Sequence, residues 1–147
     1  DTIERLAQLM DLSGSPMVSG LYISRKEPLF PVIAKELEWD MGSDLKIKHG
    51  VKEYKDYPKD GPFQGAGCGM GCCLMKTSLI DEVFEKYEMN PFDPFPFMGE
   101  DYSFCVRVNS LGHQIWCDSR IKCGHVGVHV YNEEDYKLQE ASYGRED

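Results

Sequence analysis

Residues 98–127 read MGEDYSFCVRVNSLGHQIWCDSRIKCGHVG. Phe104, Cys105, Val108 and Leu111 recur at helical spacing after the adjacent carboxylates Glu100 and Asp101, and Gly112 supplies a left-handed stop. The spacing therefore predicts a helix over 100–111. QIWC (114–117) and IKCGHVG (121–127) read as strands or extended pieces, with His125 set among glycines. Glu100 and Asp101 have a structural use, because carboxylates at a helix start meet free amides and the positive end of the helix dipole, worth about 0.3–1 kcal/mol each. A histidine alone is likewise more often packed or solvated than a ligand. The ordered combination in so short a span has the form of a site for chemistry.

Upstream lies GAGCGMGCCLMKTSLIDEVFEKYEMN (65–90), a glycine-studded turn running into a short apolar strand and a helix. Gly65, Gly67, Gly69 and Gly71 do not form GxGxxG, and no Lys-Ser/Thr pair closes a phosphate loop after a strand. Two readings of this run stand side by side: close backbone approach that walls a sugar pocket, with Gly67, Cys68, Gly69 and Met70 as binding residues, or a plain tight turn. Ser78 with Asp81 is positioned to cap the helix, whose stripe is Leu79, Ile80, Val83, Phe84 and Tyr87. PFDPFPF (91–97) breaks it.

At the front, Asp1 with Glu4 reads as a capping box for a helix over about residues 2–12, stopped by SGSP. MVSGLYIS (17–24) is strand-like, and LFPVIAKEL (29–37) is an edge or irregular strand because of Pro31; together they suggest a small hairpin. Residues 39–64 are rich in charges and turn formers, and they read as a long flexible surface loop, either a lid or binding loop that includes Trp39 or a tolerated insertion. The tail from 128 to 147 is acidic and expected to fray. No repeat or second-domain boundary is visible.

A chain of 147 residues suits one domain with a core of its own. Sixteen Lys and Arg stand against 25 Asp and Glu, a net charge of −9, which argues against a nucleic-acid partner because that affinity comes mainly from cations meeting phosphates. No stretch reaches the roughly 20 apolar residues of a membrane span, and the acidic, amphipathic start is unlike a signal sequence. The six cysteines, Cys68, Cys72, Cys73, Cys105, Cys117 and Cys123, lack paired CxxC spacing, so reduced thiols in a cytoplasmic protein are expected over a disulfide framework or a zinc site completed by His125.

Taken in order, the glycine-rich strand entry, the Phe- and Pro-rich linker, the Glu-Asp pair opening a helix, the glycine stop and the trailing histidine resemble the acceptor-side half of a glycosyltransferase of the type A fold, nearest to inverting enzymes of bacteria and phages. The resemblance covers residues 1–127 and is most specific over the last thirty of these. It implies an α/β chain with a mixed sheet and two to three helices. It also implies a nucleotide-sugar donor, a carbohydrate or other hydroxyl acceptor, and a divalent cation, Mn or Mg. By position it makes Asp101 the general base, Glu100 its neighbour and His125 a metal ligand.

The Asp-x-Asp motif that holds the cation in this family is missing: Glu38-Trp39-Asp40 and Glu133-Glu134-Asp135 have the spacing but not the place. Since the helix at 2–12 resembles the one that follows that motif, the chain reads as a portion without the N-terminal nucleotide-binding half, and inactive alone. A strand such as MVSGLYIS would then keep an open edge, which a swapped or edge-paired homodimer would cover. The competing readings are a noncatalytic sugar-binding or assembly module and a small zinc-stabilised interaction domain.

Overall fold

Residues 1–143 are described by a computed structural model, and residues 144–147 of the acidic tail lie outside the described residues. Asp1 accepts the Ile3 amide at 2.8 Å and Gly14 closes the helix at φ 69°, giving α1 (Thr2–Ser13) close to its predicted bounds. β1 (Met17–Leu21), β2 (Ile33–Met41), β3 (Ile47–Glu53), β4 (Pro62–Gly65) and β5 (Gly67–Cys68) follow. A 3₁₀ turn (Met70–Cys72), β6 (Cys73–Met75), α2 (Thr77–Tyr87), α3 (Glu100–Ser110), β7 (Ile115–Lys122) and α4 (Glu133–Tyr143) complete the order. Among the described residues the architecture is α/β with a mixed sheet and four α-helices, one more than the sequence reading allows.

The larger sheet runs β4-β7-β1-β6, with β1 parallel to β7 and the other pairings antiparallel. Every residue of β1 is buried, and its alternation feeds two cores. Met17, Leu21 and Ile23 join Phe104, Val108 and Ile115 on one face, while Val18 and Tyr22 meet Leu6 and Leu9 of α1 and Ile121 on the other. MVSGLYIS is therefore an interior strand, and the open edge expected there is absent; the edges of this sheet are β4 and β6. β7 is a single strand where two pieces are expected, and an irregularity between Gly20↔Asp118 and Leu21↔Lys122 takes up Ser119, Arg120 and Ile121 opposite β1.

The second sheet, β3-β2-β5, corrects the loop reading of 39–64. β2 and β3 form a long antiparallel hairpin, Tyr57 and Phe63 enter the core, and β4 closes the segment. Asp40, Lys48 and Lys52, among the charges that suggested a loop, are exposed residues of strands, where Lys52 pairs with Glu36. Pro31 precedes β2 and interrupts nothing. The hairpin expected between MVSGLYIS and LFPVIAKEL survives only as a short ribbon, Ser24 N to Phe30 O at 2.9 Å and Val32 N to Tyr22 O at 3.0 Å, since β1 and β2 belong to different sheets.

α2 starts at Thr77 after Lys76, so the Ser78–Asp81 cap is not made, and Phe84 is 56% exposed where burial is expected. α3 keeps Phe104, Cys105 and Val108 fully buried and Gly112 at φ 85°. It also buries Arg107, which the periodicity did not single out: Nη1 donates to Pro91 O at 3.0 Å and the guanidinium lies 4.1 Å from the Phe95 ring.

The tail from 128 carries α4, whose start is secured by a reciprocal pair, Glu134 N to Asn132 Oδ1 at 2.8 Å and Asn132 N to Asp135 Oδ2 at 2.9 Å. Tyr136 is 1% exposed, Glu133 pairs with Lys122 and accepts the Tyr57 hydroxyl at 2.9 Å, and Gln139 Nε2 donates to Leu29 O at 2.8 Å. The acidic spacing of 133–135 thus serves packing and capping. Among the described residues, no helix is long and apolar enough to cross a membrane. Tyr136→Ala is expected to lower unfolding free energy by on the order of 3 kcal/mol in denaturant melts, as truncation of a buried aromatic does; an unchanged midpoint would return the segment to a frayed tail.

Candidate functional site

α3 begins without a side-chain cap, its N-cap being Gly99. Asp101 is accordingly not spent on its own helix: Oδ2 accepts the Met70 amide at 3.1 Å, thirty-one residues away in sequence. Glu100 is exposed and Asp101 half-buried. Burial raises the Asp101 pKa above the ordinary 3.8; the Met70 hydrogen bond opposes this and the negative charge of Glu100 adds to it. The result is a carboxylate held in a fixed direction, with its second oxygen uncommitted among the hydrogen bonds described.

The glycine run explains why the Met70 amide can reach that carboxylate. Tyr22, carried just past the end of β1, lays its ring against the 3₁₀ turn, and its hydroxyl accepts the Gly71 amide at 3.1 Å. A Cβ on Gly69 would overlap the Tyr22 hydroxyl, and one on Gly71 would lie 2.9 Å from Tyr22 Cζ. On Gly67 it would stand 3.1 Å from Leu37 Cδ2 and Tyr102 Cδ1. Gly69 and Gly71 are thus required by close packing, and Gly67 sits in a tight fit. Gly67, Cys68 and Gly69 are buried, forming the layer beneath the turn, whereas Met70 is half-exposed.

His125 reaches the same neighbourhood from β7. Its Nδ1 lies 2.8 Å from Ile23 O, and a carbonyl only accepts, so Nδ1 carries a proton and the neutral ring has its lone pair on Nε2. Its ring packs edge-on to Tyr22 at 5.2 Å between centroids and 89°. A continuous line results: Asp101, the Met70–Gly71 amides, Tyr22, His125. Tyr22 is the member that sequence reasoning missed; the available signal was a phenol at the end of the strand-like run MVSGLYIS. Burial raises its pKa, and the charge of Asp101 adds to the rise.

Trp39 stands apart from this line, on the β2–β3 hairpin. Its Nε1 donates to Pro96 O at 3.1 Å and its ring stacks on Phe95 at 4.1 Å. Among the described residues, no group of three His, Cys, Asp or Glu side chains is placed to hold a metal ion. Among these residues His125 and the cysteines are not grouped in such a set. The concavity of about 400 Å³ lined by Tyr22, Cys123, Gly124, Glu133 and Lys137 does not include Glu100 or Asp101.

Overlap with the tyrosine gives Gly69→Ala an expected cost of about 1–3 kcal/mol, and less in a Tyr22→Phe background where the clashing oxygen is gone; a double-mutant cycle in denaturant measures the difference. Equal costs in the two backgrounds would show that the glycine and tyrosine act independently. The chain matches no protein-family model, no curated protein and no solved structure.

Proposed function

We propose that the chain is the acceptor-side part of a glycosyltransferase, in which Asp101 is the general base that takes the proton from an acceptor hydroxyl as its oxygen attacks the anomeric carbon of a nucleotide sugar. The observation that carries this reading is the half-buried Asp101, tied by Met70 N at 3.1 Å to the glycine turn and shifted upward in pKa by burial. A base of raised pKa is the stronger proton acceptor, and a positioned base contributes typically about 10²–10⁴-fold. The Met70 amide fixes one carboxylate oxygen and leaves the other for the hydroxyl. Glu100, exposed beside it, is placed to hydrogen-bond further acceptor hydroxyls. The donor's diphosphate needs positive charge that a chain of net charge −9 does not offer. Mn or Mg would supply that charge in the family resembled, but the described residues lack a set of three ligands, and His125 Nε2 is at most one contribution to it.

Asp101→Asn retains an acceptor for Met70 N and removes the base. In the full-length enzyme it is expected to lower kcat by about a hundredfold or more, measured as sugar transfer from uridine or guanosine diphosphate sugars. Near-normal turnover would exclude the assignment.

Stability separates this role from a structural one. With a raised folded pKa, the native state binds more protons than the unfolded chain between 3.8 and that raised value, so stability falls as pH rises through the window and stays lower above it. Neutral asparagine escapes this loss. Asp101→Asn should therefore melt at or above the wild-type temperature at neutral pH, with the difference shrinking as pH falls toward 3.8. A variant that melts lower at neutral pH would mark Asp101 as a structural carboxylate.

A further inference from the structure

We propose that Cys72 and Cys123 are a site of reversible disulfide formation that clamps the 3₁₀ turn to the end of β7. Their sulfurs lie 3.1 Å apart, 51 residues apart in sequence, about 1 Å beyond a bonded S–S distance of about 2.05 Å. Both backbones are already fastened to the same stretch of β1. Ser19 Oγ donates to Cys72 O at 2.9 Å, and Cys123 N donates to Leu21 O at 2.9 Å. Gly20, the residue between, makes the room: a Cβ there would stand 2.7 Å from Cys72 Sγ and 2.8 Å from Ile121 O. Three consecutive residues of an interior strand thus hold the two thiols in register and clear the space where the bond forms.

Access is asymmetric. Cys72 is 7% exposed, whereas Cys123 is half-exposed and lines the concavity of about 400 Å³. Cys68, Cys105 and Cys117 are fully buried. A small-molecule disulfide such as oxidised glutathione is the oxidant. The Cys123 sulfur attacks one of its sulfurs, the S–S bond breaks, and the Cys123 proton leaves with the departing thiol. The Cys72 sulfur then attacks the Cys123 sulfur of the mixed disulfide and releases the second small thiol with the Cys72 proton. Two protein thiols lose two hydrogens and two electrons, and one small disulfide becomes two thiols. The bond joins the turn that carries the Met70 amide to the strand end that leads to His125, so oxidation removes freedom from both ends of the line through Tyr22.

The test starts from reduced wild-type protein exposed to oxidised glutathione at neutral pH, then denatured for thiol titration. Titratable thiols should fall from six to four, and dithiothreitol should restore them. A non-reduced peptide map should show one intrachain link, with fragmentation placing it on Cys72 and not on Cys73. The oxidised protein should melt at least about 5 °C higher, because the link closes a long loop. Cys123→Ser should keep all its remaining thiols and show no such rise. Retention of six thiols by the folded wild type, a link to another cysteine or between chains, or an unshifted melting temperature would each overturn the proposal; if Cys123→Ser does not fold, the wild-type map decides.

Discussion

β1 is buried on both faces, and the rest of the molecule is arranged around that requirement. A strand without a solvent face must satisfy its amides and carbonyls on both edges, which β6 and β7 do, and must cover both rows of side chains. α1 supplies one cover through Leu6 and Leu9; α2, α3 and the second sheet supply the other. Because β1 is shared by both cores, the turns at its carboxyl end are held from two sides, and Tyr22 and Ile23 project there.

That placement converts ordinary residues into a connected group. Tyr22 takes the Gly71 amide, the turn presents the Met70 amide to Asp101, and His125 leans on Tyr22 while donating to the carbonyl of Ile23. Each member depends on a neighbour contributed by a different element. Asp101 is held where burial disfavours its charge, a cost to the fold that the Met70 amide offsets in part. The same strand end brings Cys72 and Cys123 together, so the backbone that orders the carboxylate also sets the distance between the thiols.

A second organising contact ties the proline-broken linker to α3 and to the β2–β3 hairpin. Arg107, with no exposed surface, lies over Phe95; Phe95 stacks on Trp39; and Trp39 bonds back to Pro96. A planar guanidinium suits this sandwich because it stacks on an aromatic face and still donates in its own plane, here to Pro91 O. Through it the β2–β3 hairpin is joined to α3 at a distance from the start of α3, and Trp39 acquires a packing role that its sequence neighbourhood did not announce.

The amino-acid sequence by itself determined the elements whose signal is local. α1, with its Asp1 cap and Gly14 stop, follows from spacing and terminal residues alone, and so do α3 with Gly112 and the strand character of 17–21. It also placed Asp101 at a helix start and the glycine run before it, in the order that resembles a sugar transferase. Only the tertiary structure decided what those residues touch. Strand pairing and burial join residues far apart along the chain, and no period within one element encodes the partner's identity. Thus 39–64 holds the end of β2, β3 and β4, its charges facing solvent while Tyr57 and Phe63 reach the core, and α4 formed on the acidic tail because Tyr136 found a buried place. Gly69 and Gly71 are glycines because Tyr22, 47 and 49 residues away in the chain, presses against the turn, and Gly67 lies tightly against Tyr102, 35 residues away. Close approach of that kind is a property of packed surfaces, and it exists only once β1 has been buried between them.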